Sequence, residues 1–305
     1  MHPVHLLHPF VLCLFFATII GLTMFSMHPV LLVLSLIGAI CVNLTIDRSR
    51  FFQALKWFLP FCIIAALINP LITHDGEKVL LYVNYQPITV EAIAYGIAMS
   101  TLILAVMLWC MALNQLMTTD QFIYLFGALS PAVALLISVT MRLVPRFKYQ
   151  LQLIMTAQKA IGRDPRAGSV WQRIKRAVQV ISILITWALE NAIESADSMK
   201  ARGYGLSGRT TFSIFTFTKR DGWLLAVIVV LLSVQILGHW QQIATFDYYP
   251  TFQALPITLY TVMFYSSFFV LALLPTILYV QEGLKWRLLT SKISASVIHS
   301  ATDKR

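Results

Sequence analysis

The sequence predicts an all-α polytopic membrane protein: about six transmembrane helices and a cytoplasmic domain of long amphipathic helices. Three observations carry that prediction. Hydrophobic residues make up 58% of the 305, charged residues only 12%, and the mean hydropathy is +0.75, a balance that leaves no polar surface for a water-soluble globule. Six segments approach the roughly 20 apolar residues needed to cross a bilayer, and they carry few or no charges. The cations, finally, gather on alternate connections between those segments.

The six segments lie at about 9–25, 28–46, 57–73, 92–113, 222–240 and 256–281. Inside lipid every backbone N–H and C=O must be paired within the chain, which makes helix the expected conformation of each. The first two are short and separated only by Ser26, Met27, His28 and Pro29, so they read as a tight hairpin that is not fully inserted. With a cytoplasmic N-terminus, segments 47–56, 114–220 and 282–305 hold 22 of the 23 Lys and Arg and leave Lys78 outside. The positive-inside rule then places both termini in the cytoplasm of a multi-pass cell-membrane protein. The expected organisation is four spans over 1–113, a cytoplasmic region at 114–220, a transmembrane hairpin at 221–281 and a basic tail at 282–305. Outside, the two β-rich runs within 77–90 predict a small hairpin around Asn84-Tyr85-Gln86-Pro87.

Composition also excludes classes. The net charge of +10 accompanies no aromatic-plus-basic RNA-binding signature, so no nucleic-acid partner is expected. Cys13, Cys41, Cys62 and Cys110 all sit in apolar stretches without C-x-x-C spacing, which suggests neither a metal site nor a disulfide. His2, His5 and His8, spaced by three at the N-terminus, read as a frayed end rather than a metal site. No opening run resembles a cleaved signal peptide. An intramembrane enzyme of the prenyl or phosphate transferase type needs clustered Asp, Glu or His near the membrane face, and the sequence offers no Asp-x-x-x-Asp, H-E-x-x-H or G-x-S-x-G. A conventional ABC permease that binds solute between its own helices needs buried polar residues in its spans, where only scattered ones such as Asn43, Asn69 and Gln235 occur. A scaffold with no transport role is the remaining rival.

Residues 114–220 are basic yet amphipathic. A short helix is expected over 118–128, capped by Thr118, Thr119 or Asp120 and stopped by Ser130-Pro131. A second runs from Pro131 to about Ile161; its apolar start reads as a partly embedded helix packed on the spans. Gly162 is its C-cap and Pro165 forbids continuation. Ser169 with Gln172 has capping-box form, so a third helix starts near Val170 and meets no Gly or Pro until Gly203. Its Glu190, Glu194 and Asp197, at i, i+4 and i+7, share one face. Gly203, Gly205 and Gly208 end it sharply.

Both long helices thus close on a small-residue turn beside a cation, Ala160-Ile161-Gly162-Arg163 and Ala201-Arg202-Gly203. Small residues admit another protein's surface, and a guanidinium at a helix C-terminus offers a directional contact to carboxylates. The simpler reading of each is a C-cap with a cation that suits the helix dipole.

These residues resemble the transmembrane (T) component of energy-coupling factor transporters, the EcfT/CbiQ family, which includes cobalt and biotin uptake permeases. Ala196 to Gly205, with Met199, Ala201, Arg202, Gly203 and Tyr204, is similar to the family's second Ala-Arg-Gly signature. Ala157-Gln158-Lys159-Ala160-Ile161-Gly162 is similar to the first, Ala-Gln-x-Ala-Arg-Gly, with Ile161 where the family has Arg and Arg163 one position later. The resemblance covers mainly 114–210, and the Asp-Pro-Arg motif found near the N-terminus of many members is absent. It implies coupling helices whose two turns sit in grooves of two cytoplasmic ATP-binding-cassette ATPases. It further implies a membrane-embedded substrate-binding (S) component as partner and uptake of a vitamin or transition metal ion. Carried over by position, Ala201, Arg202 and Gly203 are the firm contact set; Ala160, Gly162 and Arg163 form the other, supported by Ala157, Gln158, Met199 and Tyr204. No Walker loop is present, so ATP belongs to the partners, and neither a cofactor nor catalysis is expected of this chain.

Overall fold

In a computed structural model the described residues are 7–73, 75–83, 85–129, 131–164, 167–204, 206, 215–250 and 258–302. The elements in chain order are α1 (Pro9–Phe25), α2 (Pro29–Ile46), α3 (Arg48–Ile72), β1 (Val79–Val83), β2 (Gln86–Thr89) and α4 (Val90–Leu116). They are followed by α5 (Thr119–Leu129), α6 (Pro131–Ala160), α7 (Val170–Ala201), α8 (Lys219–Trp240) and α9 (Leu259–Thr302). The all-α expectation holds, with one two-stranded sheet among the described residues. Two compact units result, Met1–Gln121 with Phe215–Arg305, and Phe122–Ile214.

The first unit holds α1 to α4, α8 and α9. Six helices among the described residues are long and apolar enough to cross a bilayer: α2, α3, α4, α7, α8 and α9 over Leu259–Lys285. Five match expected spans. The sixth is α7 of the second unit, 32 residues long, although its uncharged stretch between Arg176 and Glu190 is itself shorter than a span; α1 at 17 residues falls just short in length. Two further boundaries differ from expectation. The helix of the third span begins at Arg48 rather than near 57, because Asp47 caps it by accepting from the Ser49 and Arg50 N–H groups (3.0 and 3.2 Å). The last helix runs on to Thr302 without a break at 281, so the described part of the basic tail is a continuation of α9.

Lipid is as apolar as leucine, so helices in it are held by close packing and buried polar bonds. Both occur here. Gly38 lies against Ala272, so that an added Cβ would come within 2.7 Å of the alanine methyl, and Gly238 lies against the Phe264 ring. Trp109 Nε1 donates to Ser35 Oγ (3.0 Å), which also pairs with Thr23 Oγ1 (2.7 Å), tying α4, α2 and α1. The three scattered polar residues serve the same purpose. Asn43 Nδ2 donates to the Leu108 carbonyl (2.9 Å), Asn69 Nδ2 to the Ala92 carbonyl (2.9 Å), and Gln235 Nε2 to Ser267 Oγ (2.7 Å) and the Phe264 carbonyl (3.2 Å). All four cysteines are free.

The expected hairpin at 77–90 is present. β1 and β2 pair antiparallel with Val83 opposite Gln86 and Tyr82 opposite Pro87. Tyr85 closes the turn at φ 64°, in the left-handed region that two-residue hairpin turns require. Of the three spaced histidines, His2 and His5 lie outside the described residues, and His8 caps α1 by accepting from the Phe10 N–H (3.3 Å). No cluster suited to a metal ion occurs among the described residues.

Candidate functional site: two glycine-terminated helix ends

The second unit is built on α6 and α7, which return on one another through residues 161–169. α5, ahead of them, starts as predicted: Thr118 and Gln121 form a capping pair, the Thr118 N–H donating to Gln121 Oε1 (2.9 Å) and the Gln121 N–H to Thr118 Oγ1 (3.4 Å). α7 starts at the expected capping box, where Gln172 Oε1 accepts from the Ser169 N–H (3.4 Å). Arg176, one turn further on, folds back to donate from Nη1 to the Asp164 and Ala167 carbonyls (2.8 Å each). That guanidinium ties the connection to the start of α7.

Where α6 and α7 meet, Trp187 packs edge-on to Phe147 (5.6 Å between ring centres) beneath the Arg146 guanidinium, 5.7 Å from the indole. Ile154 and Val180, each buried, lie two turns nearer the connection. This face of α7 accounts for only part of its apolar residues. Ile174, Val178, Ile181, Ile185 and Leu189 recur every three or four residues, which sets them on a separate stripe, and all five are at least half exposed. The apolar start of α6 likewise leaves Val133 and Leu136 exposed. Glu190, Glu194 and Asp197 are exposed too.

The two helix ends are superposable in hydrogen bonding. In the first, the Gly162 N–H donates to the Lys159 carbonyl (3.0 Å) and the Arg163 N–H to the Gln158 carbonyl (2.9 Å). In the second, the Gly203 N–H donates to Lys200 (2.9 Å) and the Tyr204 N–H to Met199 (3.0 Å). Both are Schellman turns with glycine at the left-handed position, φ +76° for Gly162 and +79° for Gly203. Because the turns match bond for bond, their residues correspond by position. Ala160 corresponds to Ala201, the last helical residue; Ile161 to Arg202, the cap; and Arg163 to Tyr204, the residue after the glycine.

The first turn therefore presents an isoleucine, 63% exposed, where the second presents an exposed arginine. Arg163 occupies a different corner of the turn, one residue past the glycine. Met199 and Tyr204 hold the two positions that customarily pack across a Schellman turn, whereas Gln158 and Arg163 hold them in the first, so the second closure is the more apolar. Ala157 supplies the carbonyl that accepts from the Ile161 N–H (3.3 Å). α8 ends in the same hydrogen-bond pattern at Gln241, Gln242 and Ile243, with Gln242 at φ 59°. The turn alone is thus a helix stop; what distinguishes the pair on α6 and α7 is the alanine before each cap, where α8 has Trp240, and the glycine at the left-handed position, where α8 has Gln242. Gly205 and Gly208, the other glycines expected to end α7, lie outside the described residues.

The ends are far apart. α7 has 32 residues, about 48 Å at 1.5 Å per residue, with the first turn next to its start and the second at its finish. Sequence reasoning identified both turns but missed the Trp187 clasp, the Arg176 tie and the second apolar stripe. A count of apolar residues at i, i+3 and i+4 along 174–189 was the available signal for the stripe.

The model of the cobalt transport protein family, CbiQ, matches residues 2–213, which includes both turns. An energy-coupling factor transporter transmembrane protein EcfT from Brevibacillus brevis is 29% identical over 240 residues, covering 74% of this chain and 88% of the relative. Its counterpart in Bacillus subtilis is 28% identical over 204 residues, covering 63% and 77%. EcfT 1 of Listeria monocytogenes is 38% identical over 101 residues, a third of this chain. With the family match spanning well over half of the sequence, the chain belongs to the CbiQ family and is the transmembrane component of an energy-coupling factor transporter.

Proposed function

We propose that this chain transmits ATP-driven motion of two cytoplasmic ABC ATPases to a membrane-embedded S component, for uptake of a vitamin or a transition metal ion. The observation that carries the reading is the pair of matched Schellman turns at opposite ends of α7. About 48 Å of helix separates the turns, a spacing that suits two separate partner surfaces. Each turn offers a small residue, Ala160 or Ala201, which lets a partner backbone come close, and a projecting side chain beside it. In the second, Arg202 adds a permanent charge at the negative end of the helix dipole, suited to a partner carboxylate.

Between the turns, α6 and α7 form one lever clasped at Trp187, so movement of either end moves the exposed apolar stripe of α7. That stripe suits an apolar membrane partner such as the S component. The orientation that fits has 114–220 and both termini in the cytoplasm, where the ATPases are. Nucleotide chemistry falls to those partners, as the sequence has no Walker loop; this subunit breaks no bond.

Arg202→Glu tests the reading. The side chain is exposed and only the backbone N–H of residue 202 is used in the turn, donating to the Ser198 carbonyl (3.2 Å), so folding is retained. Co-purification of the ATPases and substrate uptake are lost. Normal uptake with Arg202→Glu overturns the assignment of this end to an ATPase, as does chemical labelling of residue 202 from outside the cell.

A further inference from the structure

α3 and α4 run antiparallel and leave a groove of about 560 Å³ between them. Its lining repeats at helical spacing: Arg50 and Phe58 on α3 lie two turns apart, as do Val106 and Asn114, and Met107 and Gln115, on α4. Because the helices are antiparallel, the polar members collect at one end and the apolar ones at the other. Arg50, Asn114 and Gln115 form the mouth; Phe58, Val106 and Met107 form the far wall, about 12 Å deeper at 1.5 Å per residue. A groove graded from cationic to apolar along the bilayer normal has the polarity of a phospholipid.

We propose that this groove binds one anionic glycerophospholipid, with its phosphate at Arg50 and its acyl chains against Phe58 and Met107. Asp47 accepts from Arg50 Nε (3.2 Å), which orients the guanidinium while leaving its Nη donors for a phosphate, the acceptor that a planar fork suits best. Asn114 and Gln115 line the groove beside Arg50 and offer amide groups to a headgroup hydroxyl such as that of phosphatidylglycerol. Arg48, Arg50 and Lys56 mark this as the cation-rich end of α3, where anionic headgroups concentrate. The proposal rests on the chain being a membrane protein and is independent of how the two helix ends are used.

The test is native mass spectrometry of the full chain and of the assembled transporter, each released from nanodiscs holding equal phosphatidylglycerol and phosphatidylcholine of the same chain length. One phosphatidylglycerol is retained in preference to phosphatidylcholine. Arg50→Gln removes the charge-assisted contact and lowers that retention roughly tenfold. Lys56→Gln, which removes an equal charge from α3 outside the groove, leaves it unchanged. Met111→Trp, which fills the groove without altering charge, also abolishes retention. Equal retention of both lipids, or an equal fall in Arg50→Gln and Lys56→Gln, overturns the site in favour of ordinary annular lipid. Retention by the isolated chain but not by the assembled transporter overturns it in favour of a partner subunit in the groove.

Discussion

Replacing Gly203 by alanine, and separately Gly162 by alanine, probes the two turns at the point where the backbone admits little else. Both glycines have φ near +80°, where an L-residue pays about 1–2 kcal/mol for the clash of its Cβ with the neighbouring carbonyl. Steric surroundings add little to that figure. A Cβ at Gly162 meets nothing within 4 Å, and one at Gly203 meets only Leu206 Cδ1 at 3.2 Å, the movable tip of a side chain. The cost is local and small beside the total stability of a folded domain, so both variants fold and insert. What changes is the fraction of time each turn is open, which rises roughly 5- to 30-fold for 1–2 kcal/mol. Amide hydrogen exchange reads this directly at the Arg163 and Tyr204 N–H groups, the donors to Gln158 and Met199. Each accelerates by that factor in its own variant, and the other turn does not change. Asparagine tolerates the left-handed region better than alanine, so Gly203→Asn accelerates Tyr204 less. If alanine and asparagine leave exchange as it is with glycine, the turns are not held by the left-handed residue and the correspondence between the two ends loses its basis.

Three further outcomes follow from the geometry. Ile161→Arg, which gives the first turn the same cap as Arg202 at an exposed position, leaves ATPase assembly and uptake intact; loss of assembly would show that the isoleucine fills an apolar pocket of its own. Trp187→Ala opens the clasp between α6 and α7 by removing the contacts to Phe147 and Arg146; it destabilises the pair by about 2 kcal/mol, below the value for a fully buried tryptophan, measured by denaturant unfolding in detergent. Asn43→Leu removes a bond between α2 and α4 together with the unpartnered Asn43 Oδ1, so it costs only about 0.6 kcal/mol and leaves uptake unchanged. Abolished uptake in a normally folded Asn43→Leu protein would point instead to a solute path between these helices.

Much of the molecule is legible from order along the chain. The low charge and the apolar runs dictate membrane helices, because a bilayer forces the backbone to pair with itself. Start and stop signals act within a few residues. Ser169 with Gln172, Gly162 and Gly203 therefore mark helix ends that the structure places within a residue or two of expectation, whereas the cap at Asp47 starts its helix about nine residues ahead of the expected span. Both glycine-terminated turns are of this local kind, as is the hairpin turn that Tyr85 closes.

Other features depend on contacts that cross the chain. Nothing in the spacing of Asn43, Asn69 and Gln235 reveals that each bonds a neighbouring helix, since the acceptors lie 65, 23 and up to 32 residues away. The same holds for the clasp of Trp187 on Phe147 and for the groove that brings Arg50 beside Gln115. The equivalence of Ile161 with Arg202 is subtler. Aligned letters make Arg163 look like a displaced arginine, but hydrogen bonds count positions from the glycine, and by that count it stands where the second turn has Tyr204. Sequence specifies where a helix must stop through interactions a few residues long; which side chain then faces a partner is set by how the stopped ends fold back and what they pack against.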